Sequence, residues 1–279
     1  MCRILFLKGT NKQKAIDYID AFYQAGYDDP HLQTAIKTLK IDKIKNQHLH
    51  GWGYLLVTKD NINTYLSGEA FFNDEYGFEN LKTQIRNISG DFLLMSELRL
   101  TDEGHVSALN THPFFISTLN GYDGWFFYNG LLDHEKLAQI EGLDINNFKR
   151  KNGTTIMCHS ITKELQKGSN IKDSLMKPKE ALKSGYNLMC FINDNNGDYK
   201  AYLNAYSKEE LLENKDYVEY TKLIKKDDSD LFFAGSNAIG VYKNDEYEIM
   251  QNGEFIEFDI DFINEYYFNG YDEGIEMNI

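Results

Sequence analysis

Proline is scarce, with 3 in 279 residues, and no Ser/Pro-rich stretch interrupts the chain. No flexible linker divides it, so one continuous domain over residues 1–279 is expected. Cysteine is equally sparse. Cys2, Cys158 and Cys190 form an odd set without paired spacing, which argues against a disulfide framework and suits a reducing compartment. Positive charge is also short: 29 Lys and Arg stand against 43 Asp and Glu, for a net charge of −14. Nucleic acid and anionic membrane surfaces repel such a chain on average, so neither is an expected partner. No apolar run approaches the ~18 residues of a membrane span. The N-terminus also lacks the charged-then-apolar order of a signal peptide, so a cytoplasmic location is expected. Hydrophobic residues make up 42% of the chain, which fits an ordered globular protein.

What is present starts at the N-terminus. Met1-Cys2-Arg3 leads into the apolar run Ile4-Leu5-Phe6-Leu7. Cysteine is small enough for an aminopeptidase to remove Met1, leaving a thiol and a free α-amine on one residue. An α-amine titrates near ~8 and a thiol near ~8.5, so the two can serve as base and nucleophile at neutral pH. Taken alone, position 2 fits an inert cysteine opening a core strand better.

Gly9-Thr10-Asn11 reads as a turn and a helix N-cap. Ala15, Ile16, Ile19, Phe22 and Tyr23 then follow an amphipathic helical rhythm that ends over 26–30. A shorter helix is expected over 32–39. In His48-Leu49-His50-Gly51-Trp52-Gly53, two glycines around a tryptophan imply a close backbone approach before a core strand. His48 and His50 have ligand spacing, but no nearby cysteine or carboxylate completes a metal set. Residues 78–88 read as a helix and 92–99 as a buried strand closed by Arg99. A guanidinium there suits a structural ion pair, and its fork also fits both oxygens of a carboxylate. The strand 125–128 runs into Asn129-Gly130, a hairpin dipeptide that can also offer a side-chain amide and a backbone N–H to an oxyanion.

Beyond these, a helix is expected over 155–165 with Cys158 in the core. Another spans 171–184, broken at Pro178. Strands are expected at 188–192 and 199–206, joined by Asn195-Asn196-Gly197, and at 217–224 and 231–234. Asn252-Gly253 suggests a hairpin between 247–250 and 255–258. These late strands suit a second sheet. From Asp259 onward the chain is acidic and Tyr-rich, and reads as a solvated tail or, less readily, a docking surface.

The order Met1-Cys2-Arg3, Gly51-Trp52-Gly53, Arg99, Asn110-Thr111-His112-Pro113-Phe114, Asn129-Gly130 resembles the class II glutamine amidotransferases, enzymes of the N-terminal-nucleophile (Ntn) hydrolase superfamily. The likeness is strongest to stand-alone members, which include γ-glutamyl amidohydrolases. It rests on residues 2–130, and the strands and acidic tail of 185–279 fit more loosely. The resemblance implies an α+β fold, a four-layer αββα sandwich of two antiparallel sheets. It implies Cys2 as nucleophile with its own freed amine as base. It also implies an oxyanion hole of Asn129 and the Gly130 N–H, and Arg99 on the substrate α-carboxylate. Gly51 and Trp52 would shape the pocket, and Asp102 stands at a further substrate-binding position. His112-Pro113 is expected to be a structural corner. No cofactor or metal is implied.

The chain departs from that pattern in places. Glu97 replaces a histidine two residues before Arg99, His50 replaces an aspartate, and Asp102 replaces a threonine, with Thr101 beside it. If Gly153-Thr154-Thr155-Ile156 aligns with the family's Gly-x-Thr-Asp, Ile156 takes the place of the aspartate that pairs with the glutamine ammonium. An unpaired ammonium in a partly dry pocket is costly, which argues against free glutamine as substrate. Three readings stay open: hydrolysis of a glutamine or γ-glutamyl amide, a glutaminase subunit passing ammonia to a separate synthase, and a non-catalytic binding protein. The expected partners are a small-molecule amide and a synthase or a second copy of the chain.

Overall fold

The first strand, β1 (Arg3–Gly9), is buried on both faces along most of its length. Leu5 and Leu7 enter one apolar cluster, Ile4 and Phe6 another. Side chains alternate along a strand, so a strand apolar on both faces needs a layer on each side. The computed structural model supplies those layers and describes residues 2–39, 45–101, 105–194 and 196–263. Asp102, Asn195 and the tail from residue 264 onward lie outside the described residues.

After β1 come α1 (Lys12–Tyr27) and α2 (Leu32–Leu39). The Asn11 side chain accepts from the Lys14 N–H and so caps α1. Next are β2 (Trp52–Thr58), β3 (Ile62–Ser67), α3 (Glu75–Asn87) and β4 (Phe92–Leu98). The middle of the chain holds β5 (Phe114–Ser117), β6 (Asp123–Asn129), α4 (His134–Glu141), α5 (Thr154–Gln166) and α6 (Ile171–Met176). Then follow β7 (Asn187–Asn193), β8 (Tyr199–Ala205), α7 (Lys215–Thr221), β9 (Leu223–Asp228) and β10 (Leu231–Ser236). The described chain closes with α8 (Asn237–Lys243), β11 (Glu248–Ile249) and β12 (Glu254–Asp259).

The strands form two antiparallel sheets, ordered β11-β9-β10-β1-β4-β2-β3 and β12-β8-β7-β6-β5. Ile4, Phe6, Leu55, Met95, Phe127, Met189 and Leu203 fill the space between them. A second cluster packs α1, α3 and α8 on the outer face of the larger sheet. A third packs α4, α5 and α6 on the outer face of the smaller one. The result is the expected αββα order of four layers.

Three local expectations are corrected. Residues 217–224 are not one strand: α7 occupies the first part. Asn214 accepts from the Tyr217 N–H to start the helix, and Tyr217 and Tyr220, three apart, are buried together on one face. The segments around Asn252-Gly253 do not pair as a hairpin. Gly253 makes the turn with φ +85°, but β11 pairs with β9 and β12 with β8, so the turn steps between the edges of the two sheets. The late strands therefore complete both sheets, with β9, β10 and β11 joining the larger one.

Candidate functional site

Strand alternation aims one set of polar residues between the sheets. Glu97 and Arg99 continue the face of Leu93 and Met95, Asn129 continues that of Phe127, and Cys2 that of Ile4. Pairing brings them to one end of the sandwich, with Ile4 opposite Glu97, Arg3 opposite Leu98, and Asn129, the last residue of β6, opposite Asn187. There the Cys2 N–H donates to Asn129 Oδ1 at 2.8 Å. The Cys2 thiol lies 3.9 Å from the Leu100 carbonyl oxygen and is 7% exposed. Burial, followed by the charge and contact of Glu97, pushes this thiol up to about 12.

Glu97 is fully buried, and its Oε1 lies 2.8 Å from His112 Nδ1. The contact is short enough for an ion pair but bent away from hydrogen-bond geometry, and neither carboxyl oxygen has a well-aligned partner. On its far side His112 Nε2 meets Thr154 Oγ1 at 3.0 Å. Thr154 Oγ1 lies 3.1 Å from Asn152 Oδ1, and Asn152 donates two 3.1 Å bonds to Asn110, from its N–H to Oδ1 and from Nδ2 to the carbonyl oxygen. A side chain on Gly53 would collide with the carbonyl oxygens of His112 and Tyr65, so glycine is what lets the His112 segment lie against β2. The close approach expected at this glycine pair is thus an approach to His112. The His112-Pro113 peptide is cis.

Arg99 is 1% exposed, and its Nη1 donates to the carbonyl oxygens of His50 and His105, both at 3.3 Å. Burial pulls this guanidinium below its usual range, while the charges of Cys2 and Glu97 oppose the shift. His50 Nδ1 accepts from the Thr101 N–H at 3.0 Å. Gly51 has φ +107°, which allows the backbone to turn beside Thr111 and Ser67. Gly130 sits where any side chain would strike the Gly185 carbonyl.

Trp52 does not line this pocket. Its indole belongs to the outer cluster, packed near Tyr54, Tyr65 and Phe78, with Nε1 donating to Asp74 Oδ2 at 2.9 Å. The reason is alternation: Gly53 falls on the inner face of β2 with Leu55 and Val57, and Trp52 on the outer with Tyr54 and Leu56. Ile156 is likewise buried in the outer apolar cluster around α5, and the same helix start presents Thr154 to His112.

A second buried network anchors the start of β1. Arg3 grips Asp29 with two 2.7 Å bonds, from Nε and Nη2, and donates to the Tyr220 carbonyl at 2.6 Å. His48 Nε2 lies 2.8 Å from Asp29 Oδ2. His48 is therefore a structural partner and not half of a metal pair with His50. Among the described residues no group of three or more His, Cys, Asp or Glu is arranged to hold a metal ion. Nor is any described helix long and apolar enough to cross a membrane. Sequence reasoning noted Glu97 only as a departure, and it missed Thr154 and Asp29 as partners. Nothing local marks them, because their contacts span dozens of residues.

The layered sandwich and the Cys2–Asn129 contact invite comparison with known structures. The enzyme described as the allosteric regulatory enzyme of purine biosynthesis superposes with a TM-score of 0.56 at 14% identity. Glutamine phosphoribosylpyrophosphate amidotransferase from B. subtilis, complexed with ADP and GMP, superposes with a TM-score of 0.51 at 15% identity. The fold is that of the class II glutamine amidotransferases, the Ntn-hydrolase sandwich. Each match covers 92% of this chain and 47% of the other, so the chain spans about half the length of these structures. No family model and no curated protein matches the chain in sequence. At such identities the likeness speaks for the Ntn sandwich and not for its substrates.

Proposed function

We propose that this protein is an N-terminal-cysteine amidohydrolase that cleaves a glutamine or γ-glutamyl amide through a thioester on Cys2. The observation that carries this reading is the 2.8 Å bond from the Cys2 nitrogen to Asn129 Oδ1. With Met1 removed, that nitrogen becomes an α-amine on the nucleophile's own residue. Asn129 Oδ1 holds it by a donated N–H, which leaves the amine lone pair to carry protons. The same amide then turns its other end, Nδ2, toward the substrate, where with the Gly130 N–H it takes the developing oxyanion.

In this scheme Cys2 Sγ attacks the amide carbon and the C–N bond breaks. The departing nitrogen takes a proton, and water then cleaves the thioester, returning the thiol. The α-ammonium formed on trimming lies beside the thiol and draws its pKa down from the high resting value, because an opposite charge favours the thiolate. Arg99 binds the substrate α-carboxylate, with Gly51 beside it. In a protein that hands ammonia on, the same half-reaction would serve a separate synthase. A second reading, a non-catalytic binding protein, draws support from the closed-off resting thiol and from the apolar Ile156.

Intact-mass measurement of the purified protein tests both readings, together with assay against glutamine, γ-glutamyl amides and N-acylated glutamine. Loss of Met1, turnover of one of these amides, and a trapped acyl adduct on the Cys2 peptide are expected. Retained Met1 with no turnover would decide for the binding protein.

A further inference from the structure

We infer that Glu97 is a catalytic proton acceptor for the Cys2 thiol and that His112, steadied by Thr154, is the residue that positions it. The inference rests on the hydrolase reading above and adds a second proton carrier to the one the α-amine provides.

The carboxyl of Glu97 has no surface to escape to, being fully buried at the inner end of β4 opposite Ile4. Buried carboxylates in native proteins are normally held by several well-aligned donors. This one has the bent 2.8 Å contact from His112 Nδ1, and the β1–β4 register puts Cys2 on the same inner face, two residues before Ile4, the cross-strand partner of Glu97. A carboxyl left so lightly held, next to a nucleophile, is placed to exchange a proton. Behind it, the Thr154 hydroxyl has one proton and two acceptors within reach, His112 Nε2 and Asn152 Oδ1. When it turns toward Asn152, its oxygen can accept from His112 Nε2–H; when it turns toward His112, it donates to Nε2 and the ring proton sits on Nδ1, facing Glu97. The rotation of one hydroxyl thus adjusts how strongly the carboxylate is held.

The step balances without an outside reagent. The S–H bond breaks as the S–C bond to the substrate carbonyl forms, and the proton passes to Glu97. An α-ammonium titrates near ~8 and is mostly protonated at neutral pH, so the Cys2 amine begins as the acid. It gives its proton to the nitrogen that leaves as the C–N bond breaks. Water then loses a proton to the amine, its oxygen bonds to the thioester carbon, and the S–C bond breaks. Glu97 returns its proton to sulfur. Division of labour between the two groups spares the amine from acting as base and acid in the same half-reaction.

The test compares wild type with Glu97→Gln in two measurements. One is iodoacetamide alkylation of the Cys2 peptide followed by mass from pH 6 to pH 10. The other is turnover of the amide the wild type accepts. Removing the carboxylate's charge makes the thiolate easier to form, so alkylation at pH 8 is expected to rise at least ~10-fold, one unit of thiol pKa. Turnover is expected to fall ~10²-fold or more through loss of the proton acceptor. A residue that merely supports the fold would not speed alkylation while slowing turnover. Unchanged alkylation, or unchanged turnover, overturns the assignment. If Glu97→Gln does not fold by circular dichroism, Glu97→Asp withdraws the carboxyl from both neighbours and is judged by the same opposed changes. Wild type that turns over no amide overturns the hydrolase reading, whereas the alkylation measurement needs no substrate and tests the Glu97 influence on the thiol separately.

Discussion

The Cys2 nitrogen and Asn129 Oδ1 share a 2.8 Å hydrogen bond although 127 positions separate them. One bond thereby orients the Asn129 amide, since an oxygen committed to Cys2 leaves the nitrogen free for the proposed oxyanion hole. Asn129→Asp keeps an acceptor for Cys2 and loses the donor. It is expected to lower kcat by ~10²–10³, the usual effect of removing one oxyanion donor. Its urea midpoint should stay close to wild type. Steady-state kinetics beside a denaturation curve checks this, and an active Asp variant would remove Asn129 from the oxyanion hole.

The outward-facing indole of Trp52 leads to a different expectation. Trp52→Phe keeps most of the aromatic packing and loses the bond to Asp74, which retains the Tyr65 hydroxyl at 2.7 Å and the Gly77 N–H at 3.0 Å. Stability should fall by about 1 kcal/mol, a typical net value for one hydrogen bond, with KM unchanged. A raised KM with unaltered stability would return the indole to the pocket.

The anchor below β1 makes stability depend on pH in a set direction. Burial alone would raise Asp29, but the Arg3 charge and the hydrogen bonds from His48 and Arg3 outweigh it and hold this carboxyl well below the usual range. Burial also pulls His48 down, against the opposing pull of Asp29. In both cases the unfolded chain binds the proton more readily, so folding weakens as pH falls. The His48 contribution is present above ~6.5 and is lost as pH falls from there. The Asp29 contribution is present above ~4 and is lost at lower pH still. Urea midpoints should therefore drop from pH 8 to pH 5 in wild type, and His48→Gln should flatten that slope. Asp29→Asn should cost about 3–5 kcal/mol at pH 7, because Arg3 is left buried without its partner. A His48→Gln slope equal to wild type would contradict this account.

Local chemistry was enough for a good part of the architecture. The Asn11 cap and the apolar rhythm behind it announce α1, and the runs at Ile4–Leu7 and Phe92–Met95 announce strands that must be covered twice. The ordered motifs from Cys2 to Gly130 implied the sandwich only through their resemblance to a known family. Local patterns could not say which face of β2 looks inward, because both are apolar or glycine and alternation has no sign. They misread Tyr217 and Tyr220, whose β-forming side chains sit at helical spacing behind an Asn cap. The meeting of Cys2, Glu97, His112 and Asn129 was decided by register between strands and by a glycine that lets His112 close in. Those are long-range relations: a one-residue slip in pairing would point each of these side chains to the opposite layer, with nothing in its own neighbourhood changed.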